Sequence, residues 1–106
     1  MDKSEVLRII ERFRVALDGV GVQCERIVLF GSYANGTARE GSDIDLVVVS
    51  KDFDGKEYWD RIELMVDALM KVWEPIEAVA MTPEEWERGD SILVEFARSG
   101  EVAYSA

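Results

Sequence analysis

Residues 43–49 read Asp-Ile-Asp-Leu-Val-Val-Val, and no other segment limits the fold as strongly. A run of valine and leucine suits a strand, and successive side chains of a strand point to opposite faces. Leu46 and Val48 would therefore lie on one face and Val47 and Val49 on the other. A strand apolar on both faces belongs in the middle of a sheet that is covered on both sides. Its entry breaks the pattern. Asp43 and Asp45, two residues apart, project to the same side, so that two like charges stand next to each other.

The rest of the chain supplies elements for such a sheet. Val6, Ile9, Ile10, Phe13, Ala16 and Leu17 recur at helical spacing over residues 4–17, with Ser4 as the expected cap and Gly19 and Gly21 as the stop. Residues 26–30 predict a short apolar strand, residues 33–41 a short helix and a turn, and residues 51–57 a loop. The clearest helix is predicted over 57–73, with Trp59, Ile62, Met65, Val66, Leu69, Met70 and Trp73 expected along its packed face and Pro75 ending it. Residues 76–80 predict a third strand. Thr82, Pro83 and Glu85 spell a capping box that opens the next helix. A last helix is expected over 91–100, stopped by Gly100, and a last strand over 101–104. Trp59, Trp73 and Trp86 are expected to pack in the core or on helix faces. The expected fold class is α/β (α+β), a small mixed β-sheet with helices packed on it, forming one domain over residues 1–106.

Composition narrows the chemistry. Histidine is absent and Cys24 is the only cysteine, which removes Ser-His-Asp and Cys-His catalysis and the usual ligand set of structural zinc. Cys24 reads as a small, partly buried apolar residue. Twenty-two acidic residues against twelve basic ones give a formal net charge of −10. That balance argues against direct binding of nucleic acid through many phosphate contacts. A polyanionic substrate would need metal ions, or the cations of a partner, to approach. No apolar run is long enough to cross a membrane. The opening residues mix both charge signs with apolar ones, unlike a secretory or transit segment, so a cytoplasmic location is expected.

Two carboxylates about 5 Å apart repel by roughly 3 kcal/mol at an effective dielectric of about 20. Water, a shared proton, a basic side chain or a divalent cation could offset this. Arg39 and Lys51 are the nearest cations in sequence, and neither falls between the acids. Magnesium, a hard cation that takes carboxylate and phosphate oxygens together, is the natural candidate. Gly31 and Ser32, between a strand and a short helix, suit an anion: glycine lets backbone amides approach, and the serine hydroxyl adds a donor. Glu77 lies among apolar residues in a strand expected to be buried, where an unpaired acid would be costly. If that strand neighbours the one carrying Asp43 and Asp45, three carboxylates converge.

With these residues in view, Gly31-Ser32, ten residues, then Asp43-Ile44-Asp45 resembles the signature of the DNA polymerase beta superfamily of nucleotidyltransferases. The small chain is similar to the minimal nucleotidyltransferases paired with HEPN-domain proteins in toxin-antitoxin modules, and the likeness covers nearly the whole length. The resemblance implies a polymerase-beta-like fold, with Gly31 and Ser32 holding the nucleotide phosphates. It makes Asp43, Asp45 and Glu77 both the catalytic acids and the ligands of two Mg2+ ions. The implied reaction moves a nucleoside monophosphate, AMP from ATP or another NTP, onto an acceptor hydroxyl, a tyrosine of a HEPN toxin. The alternative it leaves open is an antitoxin of little or no turnover that silences its partner by forming a complex. A homo-oligomer is also compatible. Two positions depart from the family pattern: Glu77 stands where Asp is usual, and Asn35 where many relatives carry Arg.

Overall fold

The computed structural model describes residues 1–89 and 91–106. Helix α1 (Lys3–Gly19) leads into strand β1 (Arg26–Phe30), the one-turn helix α2 (Ser32–Asn35) and strand β2 (Ile44–Val49). A 3₁₀ turn (Lys51–Phe53) precedes α3 (Tyr58–Val72), followed by β3 (Ile76–Met81), α4 (Pro83–Arg88), α5 (Ile92–Arg98) and β4 (Glu101–Ser105). The predicted order of helices and strands is the observed one.

The sheet runs β3-β2-β1-β4, so the valine-rich strand occupies an interior position, as its two apolar faces require. It pairs antiparallel with β1 and parallel with β3. The parallel neighbour is reached through α3, the long crossover that such a connection needs.

Alternation along β2 divides the core in two. Ile44, Leu46 and Val48 are buried with Ile27 and Leu29 beneath α1 and α3, where Val6, Ile10, Phe13, Leu17, Met65 and Ala68 complete the larger cluster. Val47 and Val49 face the other way, joining Val28, Met81, Trp86, Val94 and Ala97 under α4 and α5. Cys24 is buried at the rim of the larger cluster, and burial pushes its thiol up to about 11, which leaves it unreactive at neutral pH. Among the described residues no helix is long and apolar enough to cross a membrane.

Three local expectations are corrected. The N-cap of α1 is Asp2, whose Oδ1 accepts from the Glu5 amide at 2.9 Å, and Ser4 lies inside the helix. A carboxylate at that position adds charge to the capping hydrogen bond, complementing the helix dipole. The segment expected as a loop after β2 contains the 3₁₀ turn, capped by the Ser50 hydroxyl. In α3 the packed stripe is Met65, Ala68 and Val72, whereas Trp59, Val66, Met70 and Trp73 are exposed. This helix is apolar over more than one face, and the small Ala68 side chain marks the face that lies inside the core. Trp86 packs as expected, with the Arg98 guanidinium 5.9 Å from its ring.

Candidate active site

The site forms where β2 begins and β1 ends. Phe30, the last residue of β1, pairs with Asp45, so the chain turns at Gly31 beside that aspartate. Gly31 has φ 73° and ψ −155°, a conformation open to glycine and avoided by other residues. A Cβ built there would stand 2.2 Å from Oδ2 of Asp45. The carboxylate thus occupies the space that any side chain would need. Gly31 then serves as N-cap of α2, and its carbonyl accepts from the amides of Ala34 and Asn35 at 3.1 Å each. The first N–H groups of a helix have no acceptor within it, so the amides opening α2 are available as donors, alongside the Ser32 hydroxyl.

The parallel ladder sets Glu77 of β3 opposite Asp45 of β2. Asp43 precedes the strand, and its charge reaches Asp45. Asp45 is partly buried, whereas Asp43 and Glu77 are exposed. The Asp45 carboxyl is raised from its ordinary value by burial first, then by the negative charges of Glu77 and Asp43. The charges of Glu77 and Asp43 thus both bear on Asp45, and none of the three takes part in an ion pair among the described residues. Glu77 corrects one expectation: it is not in a buried strand, because β3 is the sheet edge and water reaches it. Its strand does lie beside β2, which sets it opposite Asp45.

The helices on this face leave the acids open. The cluster under α4 and α5 takes in Val47, Val49, Val79 and Met81, one step along β2 and β3 from Asp45 and Glu77. Beside them a cleft of about 350 Å³ is bounded by Phe30, Gly31, Ala34, Asn35, Phe96 and Gly100. Phe96 escaped the sequence reading; its only signal was an aromatic residue one position off the buried stripe of Val94 and Ala97. Asn35 folds back, its Oδ1 accepting from the amide and the hydroxyl of Thr37, and so serves as a turn former. A second cleft of about 490 Å³ lies along β3, between α3 and α4, where Arg61 pairs with Glu85. Its lining runs along β3 from Ala78 to Met81 and does not include the three acids.

Among the described residues no group of three or more His, Cys, Asp or Glu side chains stands in a geometry that could hold a metal ion unaided. The donor set nevertheless suits a hard cation: carboxylate oxygens with no cationic partner among the described residues, beside the amide and hydroxyl donors that open α2 and suit a phosphate. Magnesium is commonly bound through one or two carboxylates with water and substrate phosphate completing its shell. A site of this kind does not need a closed protein cage.

Three comparisons bear on this geometry. The family model described as nucleotidyltransferase domain matches residues 8–96. A protein of Methanocaldococcus jannaschii, classed by inference as a protein adenylyltransferase, is 36% identical over 72 residues, 67% of this chain and 48% of its own. The chain thus spans about half the length of that curated relative. Among solved structures, a protein of Sulfolobus solfataricus classed by inference as a nucleotidyltransferase superposes with a TM-score of 0.68 at 20% identity, over 81% of this chain and 75% of that one. A toxin-antitoxin complex solved with AMP-PNP gives a TM-score of 0.62 at 22% identity, over 91% and 73%. At such identities the likeness is one of fold, and it includes the mixed sheet with its packed helices.

Proposed function

The chain belongs to the nucleotidyltransferase domain family, and from that premise we propose that it transfers a nucleoside monophosphate, AMP from ATP, to an acceptor hydroxyl in a magnesium-dependent reaction. The acceptor of this reading is a tyrosine of a HEPN toxin partner, and the chain acts as the antitoxin. The adenylyltransferase description of one relative and the toxin-antitoxin complex with AMP-PNP among the fold neighbours support the direction of the proposal. The observation that carries it is the register that sets Glu77 opposite Asp45, with Asp45 lying against the Gly31 turn.

Asp43 and Asp45 are the residues that would hold two magnesium ions, with Glu77 as the third acidic ligand. When bound, the metal supplies neutralisation of phosphate charge and a more acidic acceptor hydroxyl. The chain's own residues do the remaining work. Gly31 and Ser32 hold the triphosphate through backbone amides and the serine hydroxyl, keeping the α-phosphate in line with the acceptor. In this reading Glu77, exposed at the sheet edge, accepts the acceptor's proton. The partial burial of Asp45 fixes its carboxylate against the turn, so the anchor for charge is rigid.

Mixing the chain with its partner, ATP and magnesium and weighing both proteins by mass spectrometry tests this reading. The expected result is a partner heavier by AMP units, with no gain when Asp43→Asn or Asp45→Asn replaces the chain. Formation of a stable complex with no mass gain would overturn the transfer and leave a silencing binder.

A further inference from the structure

Helix α3 presents to solvent an apolar stripe that the fold does not use. Trp59, Val66, Met70 and Trp73, spaced seven, four and three residues apart, are 74%, 41%, 60% and 75% exposed. Neighbouring large apolar side chains of this kind mark interaction surfaces more often than idle ones.

Trp73 carries a second, independent signal. It is the C-cap of α3 at φ 55° and ψ 50°, and the only non-glycine residue with positive φ among those described. Glycine adopts that conformation freely and a bulky residue adopts it against steric resistance. An indole that strains the backbone and stays three-quarters in water returns little to the fold of its own chain.

The stripe has a direction. The Arg61 guanidinium near the start of α3 reaches the carbonyl of Ala80 near the end of β3 at 3.5 Å, so helix and strand run antiparallel. Met70 and Trp73 therefore close the end at which β3 begins, where they border a cleft of about 400 Å³ with Pro75 and Ile76. Glu77, the next residue of the strand, points to the opposite face. A body seated on the stripe thus lies on the outer surface of α3, across the sheet from the face that carries Asp45 and Glu77.

Charge selects the occupant. Exposed Asp60, Glu63 and Asp67 accompany the stripe with Lys71 as the exposed cation of the helix, and Glu74 is paired with Arg12 at 3.6 Å. A second copy of a chain of formal charge −10 would bring like charge to this rim, whereas lysine or arginine would complement it.

We propose that the α3 stripe docks an amphipathic helix of a second protein, apolar on one face and flanked by lysine or arginine. The test uses a synthetic helix of about four turns, with leucine on one face and lysine beside it, and a twin with glutamate for lysine. Each is titrated into the full chain by calorimetry and tryptophan fluorescence. The lysine helix is expected to bind at least about ten-fold tighter than its twin, and to lose at least about ten-fold in affinity to Trp73→Gly. Trp73→Gly should unfold at the same temperature as the parent or higher, and Met70→Ser should weaken binding in the same direction. Asp43→Asn should bind like the parent, which separates failure of docking from failure of transfer. Equal affinity for both helices, binding unchanged in Trp73→Gly, a lower unfolding temperature in that variant, or a dimer by light scattering that Trp73→Gly abolishes would each overturn the proposal.

Discussion

Glu85 and Asp45 are both partly buried carboxylates beside the same small sheet, and their surroundings are opposite. Glu85 closes the capping box of α4: its Oε1 accepts from the Thr82 amide at 2.8 Å and pairs with Arg61 of α3. Burial alone would raise its carboxyl, but the Arg61 and Thr82 hydrogen bonds outweigh that and hold it below the ordinary value. Asp45 has burial and two neighbouring acids, and all three raise it. An acid that serves structure is supplied with donors by its own chain. An acid left among other acids is completed from outside, and here the outside partner of the proposal is a cation bearing phosphate.

The largest effect that could break this contrast is on turnover. Asp45→Asn and Asp43→Asn should each lower the rate of nucleotide transfer by at least about 100-fold if, as proposed, they remove ligands of a metal whose charge stabilisation amounts to several kcal/mol. Glu85→Gln should leave the rate within a few-fold of the parent. Single-turnover assays with labelled ATP measure both. A Glu85→Gln loss as deep as that of Asp45→Asn would erase the distinction between the two acids.

Gly31→Ala sharpens it from the other side. The new Cβ meets positive φ and an Asp45 oxygen at 2.2 Å, so the variant should lose about 2 kcal/mol of stability along with its activity. In an Asp45→Ala background the same substitution should cost roughly half as much, because only the backbone conformation is then unfavourable. Chemical denaturation of the four proteins checks this coupling, and additive losses would show that Gly31 does not make room for the carboxylate.

The relative positions of the candidate residues were more legible in the sequence than parts of the fold around them. The spacing from Gly31-Ser32 to Asp43-Ile44-Asp45 lies within one strand-turn-strand unit, so near neighbours in sequence are neighbours in space, and β1 pairs with β2 through that unit. Glu77 required only that the third strand lie beside the second. Its exposure was not legible, because an apolar sequence context does not tell an edge strand from an inner one. The packed face of α3 was misread for a related reason. Large side chains dominate a periodicity count, yet it is Ala68 that lies in the core while Trp59 and Trp73 face outward. Only the tertiary partner decides which of two apolar stripes is buried. The αL cap at Trp73 was equally hidden, since sequence rules place glycine or asparagine there.

Glu85→Gln gives the next smaller effect, a loss of about 1 kcal/mol at neutral pH from a bridge that is partly in water. Because the folded-state pKa of Glu85 is lowered, the parent's advantage is present above the unfolded value near 4.5 and disappears as pH falls through the lowered one. Thermal unfolding of parent and variant between neutral and acid pH should converge at the acid end. A difference that persists at low pH would mean that the charge on Glu85 does not stabilise the cap.

Asp45→Asn should have the smallest effect, and one of the opposite sign. In metal-free protein the raised pKa means that the folded state binds the proton more tightly than the unfolded chain, so ionisation above the unfolded value near 3.8 costs stability as pH rises through the folded pKa. Removing the charge removes that cost. With EDTA present, Asp45→Asn is therefore expected to be more stable than the parent at neutral pH, by less than about 1 kcal/mol given that the group is partly hydrated, and equal to it at acid pH. Magnesium with a non-hydrolysable ATP analogue should reverse the order, because it neutralises the cluster only when the carboxylate is present to bind it. Calorimetric unfolding in the four combinations of protein and ligand measures the change of sign. A parent that is already more stable than Asp45→Asn without metal would mean that the three acids do not strain the folded chain, and with that the electrostatic case for a cation between them would fail.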